Sequence, residues 1–370
     1  MQVSSGMRAR ALLLGTCFLG CAGNPSPPAP DAQKASKFES TALEPAPVEG
    51  GDAGEQKPAE AAADAPQPPP KPTKPAPPAL ETAPDGTEGI PCASAPDRMS
   101  CIPAGPFLRG RDEAERSNEM PAATIWAQTF YMDQYEVTYA EYKTCQKEKR
   151  CPRSGPRYTD FDHPDMPIQG VSWFDSLAYC EAHGKTLPTE AQWEKAARGP
   201  DGEIYPWGNE PADCDKAIIK DETGRSCGLK KAISKPETGR PWDVGSRPVG
   251  RYELYDMVGN SWEWVYDWYS RSYEACGEAC LGVDPRGPCD GEETCKGHSQ
   301  KIIRGGSWYW DETRATGTYR RAHFPSNGPH FHHFGFRCAA TAQQAQALTS
   351  SEPEAGADTT EEAAASPQAG

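Results

Sequence analysis

Positive charge is scarce in this chain. Lys and Arg number 38 against 53 Asp and Glu, a net charge of −15, and no basic stripe interrupts that balance. Nucleic acid is therefore a poor candidate partner. Long apolar runs are missing as well: the stretch Ala11–Leu19 is too short to cross a bilayer as a helix. Strong nucleophiles are missing where a reaction centre would be sought. Between Ser307 and Ala322 there is no cysteine, and the candidates are hydroxyls such as those of Thr313, Thr316, Thr318 and Tyr319. No internal repeat is found.

Cysteine, by contrast, is plentiful. Fourteen are present, a heavy load for a reduced cytosol. Residues 1–20 read as a secretion signal: Arg8 and Arg10 supply the positive start, the apolar stretch follows, and Phe18-Leu19-Gly20-Cys21 ends it. A small residue before a cysteine is the pattern of a bacterial lipobox, with Phe18 where that motif usually has leucine. The expected mature chain begins at a lipidated Cys21. Ala22 after the cysteine, rather than an aspartate, directs such a lipoprotein to the outer membrane. Setting aside Cys17 and Cys21 leaves an even twelve, enough for six bridges. Short spacings pair Cys92 with Cys101, Cys145 with Cys151, and Cys214 with Cys227. Cys276, Cys280, Cys289 and Cys295 can bind zinc or form bridges; an oxidising compartment favours bridges.

Residues 21–90 are rich in Pro, Ala and Glu, with PPPKPTKPAPP at 68–78. Such a segment buries too little apolar surface to offset its ordering entropy, so a disordered linker is expected. As a flexible coil it spans on the order of 45 Å, and proline lengthens it. Residues 342–370, with Glu352, Glu354, Asp358, Glu361 and Glu362, read as a disordered acidic tail. The globular unit is 91–341. Phe107–Gly110, Thr129–Asp133 and Ile302-Ile303 have strand character. Thr138 with Glu141, and Thr189 with Gln192, form helix-starting capping boxes. Ser172 starts a further helix that Gly184 ends, and Gly199 stops the one from Thr189. The second half holds few periodic segments and is expected to be short strands and loops pinned by bridges and large aromatics. Trp308 and Trp310 stand at strand spacing.

Asp256 and Glu263 bracket a Gly-Asn turn. Carboxylates and carbonyls from a bent loop suit calcium; equally, Glu263 can pair with an arginine.

Together these stretches resemble the formylglycine-generating enzyme family, the sulfatase-modifying factor domains. The matching pieces are Phe107–Gly110, Tyr135–Thr138, Pro167–Trp173, Gly184–Gly199, Tyr205–Asn209, Leu254–Trp264, Arg304–Trp308 and Gly335–Cys338, in the expected order. The resemblance implies a single α+β domain of the C-type-lectin-like kind, low in regular secondary structure and disulfide-rich. It implies a Cys180–Cys338 bridge and structural calcium at Asp256, Gly259, Ser261 and Glu263. A second calcium site is expected around 213–245, where insertions hide its ligands. The departure comes at the chemistry. Catalytic members hold copper with two cysteines, three residues and then five further along from the motif serine. From Ser307 those positions carry Trp310 and Ala315. An indole and a methyl cannot grip Cu(I) or exchange with a substrate thiol.

The expected function is therefore that of a lipid-anchored binding or structural module in the cell envelope, monomeric, without cysteine oxidase activity. Its cleft is lined by Ser307, Trp308, Tyr309, Trp310, Arg320 and Arg321, and its partner is an envelope protein or peptide. For Trp308 plain core packing is the simpler role. The alternative is a non-haem iron or copper oxidoreductase that uses His323, His330, His332 and His333, with His330 and His332 at strand spacing. Formylglycine generation on sulfatase cysteines is its extreme form. The cofactor expected is calcium, and not a transition metal.

Overall fold

A computed structural model describes residues 81–229, 239–326 and 332–351, which fall in one unit, Lys74–Gly370. The signal, Cys21, most of the linker and His330 lie outside the described residues.

Three small sheets carry the strands. The first orders β1 (Met99–Ile102), β4 (Phe130–Asp133) and β9 (Ala339–Thr341), all antiparallel. The second pairs β2 (Gly105–Arg109) with β3 (Ala123–Ala127). The third runs β7 (Arg320–His323), β6 (Lys301–Arg304), β5 (Trp262–Trp268), β8 (Phe334–Gly335), with β5 and β8 parallel. Strand alternation divides the core at this sheet. Trp262, Trp264 and Ile303 face one cluster, with Trp173, Cys180 and Phe336. Val265 and Ile302 face the other, with Trp193, Ala196 and Met257.

Helix α1 (Tyr139–Lys147) starts at the Thr138–Glu141 capping box and α3 (Glu190–Arg198) at the Thr189–Gln192 one. Helix α2 (Trp173–Ala182) is capped by Ser172, and Asp175 completes a third box. A short α4 (Tyr273–Cys276) follows β5. Trp173 and Cys180 of α2 pack on one side of the third sheet, and Trp193 of α3 on the other.

Six disulfides hold the unit: Cys92–Cys101, Cys145–Cys151, Cys180–Cys338, Cys214–Cys227, Cys276–Cys280 and Cys289–Cys295. The four cysteines open to a zinc reading are thus paired as bridges.

Three expectations are corrected. The linker gives way to folded chain by residue 81, not 91: Gly89 N–H donates to the Glu81 carbonyl, Ile90 N–H donates to Gln128 Oε1 at 2.7 Å, and Ala83 is buried. The tail is not irregular from 342. A helix, α5 (Ala342–Ser351), buries Ala345 against Met99, Tyr131 and Ala340. The acidic residues that mark the tail begin only at Glu352. Trp308 and Trp310 are not on a strand: Trp310 N–H donates back to the Ser307 carbonyl at 3.0 Å, a turn that sends the two rings apart.

Candidate binding cleft

The turn after β6 depends on two glycines. Gly305 and Gly306 have φ of 90° and 81°, a left-handed conformation that side chains disfavour. A Cβ on Gly305 would lie 3.0 Å from the Met257 carbonyl, and one on Gly306 2.8 Å from that of Arg314. The chain therefore passes tightly between the 256–260 loop and the 311–315 turn. Gly259 N–H donates to the Gly305 carbonyl (2.8 Å), and Trp308 N–H to that of Asn260 (3.1 Å).

From this turn the side chains divide. Ser307 and Trp308 are fully buried; Trp308 packs with Phe161 and Ile218. Neither lines a cleft, which corrects that part of the expectation. Tyr309 and Trp310 remain partly exposed. The Arg225 guanidinium lies 3.5 Å from the Tyr309 ring centroid, and His333 stacks with the same ring at 5.4 Å. Trp310 has Arg314 at 4.5 Å and Arg321 at 5.4 Å, and Arg321 also reaches Trp262 at 5.8 Å. These are cation–π distances.

Arg320 does not belong to the cleft. Neighbours on a strand face opposite sides, so Arg320 turns inward while Arg321 turns out. Arg320 Nε and Nη2 donate to the two Glu190 oxygens at 2.6 and 2.8 Å. Arg304 donates to Glu194 at 2.7 Å, and Arg198 does so at 2.5 Å.

The two positions that would carry copper's thiolates have parted in character. Trp310 packs at the edge of the first core cluster. Ala315 is buried with Tyr205, Ala217, Ile219 and Val258. All twelve cysteines from Cys92 to Cys338 are in disulfides, so no free thiol occurs among the described residues.

Among the described histidines, His332 and His333 have ring centroids 5.7 Å apart, and the other ring contacts are to aromatics. His323 packs on Trp264 and Phe334, His332 on Tyr158, Phe161 and Trp308, and His333 on Tyr309 and Phe334. Among the described residues no three His, Cys, Asp or Glu side chains are grouped to hold a metal. Burial, then the positive neighbours His332 and Arg321, hold the His333 imidazole well below its usual range.

In the loop expected to hold calcium, Glu263 accepts from Arg337 Nη2 (2.7 Å) and Trp193 Nε1 (2.8 Å). Ser261 Oγ accepts from Gln169 (2.7 Å), and Asp256 accepts from Gly245 N–H (2.6 Å). The arginine partner foreseen as the alternative for Glu263 is Arg337. Negative charge is nevertheless in excess here. Burial pushes Asp256 up to about 6, and burial followed by the Asp256 charge pushes Glu136 well above the carboxylate range. Both Glu136 oxygens are buried without a hydrogen-bond partner.

Three residues escaped the sequence reading. Arg225 sits in a loop without periodicity, and nothing local points to Tyr309. Arg314 lies four residues past Trp310, a spacing that informs only inside a helix. Glu136 stands in the Tyr135–Thr138 motif, where its inward direction could have been weighed.

A sulfatase-modifying factor enzyme 1-like domain model matches residues 90–342. Among curated relatives, a formylglycine-generating enzyme of Thermomonospora curvata is 36% identical over 50% of this chain and 59% of its own length. The chain thus spans under two thirds of that relative. A Mus musculus protein named inactive C-alpha-formylglycine-generating enzyme 2 is 25% identical over 66% of the chain and 86% of its own length. Among solved structures, PvdO from Pseudomonas aeruginosa superposes with a TM-score of 0.52 at 24% identity, covering 66% of this chain and 94% of that one. It supports the α+β fold.

Proposed function

The chain belongs to the sulfatase-modifying factor family, and on that premise we propose that it has kept the family scaffold and given up cysteine oxidation, to serve as a binding module in the cell envelope. The observation that carries this reading is the pair Trp310 and Ala315 at the two thiolate positions. With every described cysteine bridged, the cleft offers no sulfur ligand for copper and no thiol to exchange with a substrate. The mouse relative named inactive gives the family a precedent in name. The cleft of Tyr309, Trp310 and Arg321 is the proposed contact surface, with an envelope protein or peptide as partner.

Export through residues 1–20 and lipid attachment at Cys21 belong to the same proposal, with the linker holding the domain away from the membrane. Calcium would be held by the loop Asp256, Gly259, Ser261 and Glu263, offsetting the surplus carboxylates beside Arg337; its contribution would be structural.

The test is direct. Purified oxidised protein, supplied with copper and a cysteine-containing sulfatase peptide, should yield no aldehyde, while elemental analysis should show calcium without stoichiometric iron, copper or zinc. Turnover of the peptide thiol to an aldehyde would end this reading. For the binding role, crosslinking in cells should capture one recurring envelope partner, and a diffuse set of products counts against it.

A further inference from the structure

Buried and half-buried arginines in this molecule fall into two groups, those paired with a carboxylate and those, such as Arg109 over Tyr273 and Arg247 over Trp242, that lie on a ring without an ion pair among the described residues. Arg198, Arg304, Arg320 and Arg337 each meet a carboxylate in the interior. Arg321 is partly buried and meets none among the described residues; its contacts are the faces of Trp262 and Trp310. Burial lowers its pKa, and the neighbouring Arg314 guanidinium lowers it further. Arg225, over Tyr309, forms no ion pair among the described residues either. Arg314 has Asp311 at 3.2 Å, and Asp311 and Glu312 line a neighbouring acidic pocket with Asp221 and Glu222.

Hydrogen-bond donors show the same imbalance. Of the ten tryptophans, Trp173, Trp193, Trp207, Trp242, Trp264 and Trp268 each donate the indole N–H to an oxygen. Four indole N–H groups are buried without an acceptor, those of Trp126, Trp262, Trp308 and Trp310, and of these only Trp310 belongs to a partly exposed side chain of this cleft. Partly desolvated guanidinium and indole donors without acceptors are unfavourable in isolation.

We infer that the cleft at Tyr309, Trp310 and Arg321 takes a peptide carboxylate, seated by the Arg321 fork and flanked by Arg225 and Arg314. This rests on the binding role proposed above and adds the charge of the ligand. Guanidinium matches carboxylate geometry with two parallel donors, and a desolvated fork is selective for it. The negative surface elsewhere discourages the same peptide from binding at other sites.

The experiment measures anisotropy of neutral-dye octapeptides on the intact protein at low salt. One peptide carries two glutamates and an amidated C-terminus; a second has glutamines instead; a third has glutamines and a free C-terminal carboxylate. Binding of one carboxylate peptide at least about tenfold tighter than the amidated glutamine peptide is expected, with the gap closing as salt rises. Which of the two wins tells a side-chain from a terminal carboxylate. Arg321→Gln should remove most of the preference, and Arg271→Gln, at an exposed arginine outside the cleft residues, should not. Where R321Q lost its near-ultraviolet circular dichroism, R225Q carries the same test with a smaller loss. Equal binding of all three peptides overturns the inference and leaves the binding role standing. Absence of binding by any of them overturns both.

Discussion

Two sets of arginines stand within one sheet's reach and behave as opposites. In the interior, Arg304 and Arg320 share Glu190 and Glu194, and Arg337 is forked onto Glu263. At the cleft, Arg321 and Arg225 rest on aromatic rings with no carboxylate partner among the described residues. Arg320 and Arg321 are adjacent in the chain, so one peptide bond separates the two regimes. The lesson concerns what each set is for. A buried guanidinium locked to a carboxylate fixes geometry, whereas one left on a ring face at a rim retains its capacity for a ligand. The fold is a family one, and the rim holds Trp310, a side chain that carries no thiol.

The sharpest way to break this contrast is to remove one arginine from each set. Arg337→Met strands Glu263 beside Asp256 and Glu136, all buried. Leaving such a charge unpaired should cost about 3–5 kcal/mol, read as the midpoint shift in urea unfolding. Arg321→Met should cost under about 1 kcal/mol, as a partly exposed group without a charge partner. If the two variants unfold alike, the distinction between scaffold and rim arginines is wrong.

The bridges offer a second, smaller contrast. Cys180–Cys338 joins residues 158 apart, linking α2 to the strand region beside β9, while Cys276–Cys280 spans 4. Loop-closure entropy grows with the loop. Replacing both cysteines of the long bridge by alanine should cost about 3–4 kcal/mol, and of the short one about 2 kcal/mol or less. Equal losses would mean that the long bridge constrains little that the core does not already hold.

Much of this frame was legible in the sequence, and for identifiable reasons. The helix starts at Thr138, Ser172 and Thr189 rest on contacts within four residues, so local spacing suffices to find them. Bridges between near cysteines were legible for the same reason, and Cys180–Cys338 through family resemblance. The cleft was legible only in part. Trp308 and Trp310 share strand spacing, but the paired glycines before them permit a turn, and that turn buries one ring and exposes the other. Arg320 and Arg321 look equivalent as neighbouring letters; only the register of β7 on β6 decides which meets Glu190. Arg225 comes from a loop 84 residues from Tyr309 in sequence (309 less 225), and no local pattern encodes that meeting. The boundaries at 81 and 351 were missed because composition reports a mean over a segment, while folding there depends on a few contacts such as Ile90 with Gln128.

The smallest expected effect asks whether the ionic core is matched in charge. Asp267 accepts the Glu190 N–H at 2.8 Å at the start of α3. Burial, then the Glu190 charge, raises its pKa to about 7. An acid whose pKa is higher folded than unfolded binds more protons in the folded state between the two values, so stability falls as pH rises from about 4 to 7 and then levels off. Between pH 5 and 7 that one group should remove about 2 kcal/mol. Asp267→Asn keeps an acceptor for Glu190 N–H and cannot ionise. The difference in unfolding free energy between wild type and D267N should therefore shift in favour of the variant across that interval and stay constant above pH 8. Other raised acids, Asp256 and Glu136, act on both proteins and cancel in the difference. Parallel curves would place Asp267 among matched charges and leave the interior's surplus to Asp256 and Glu136.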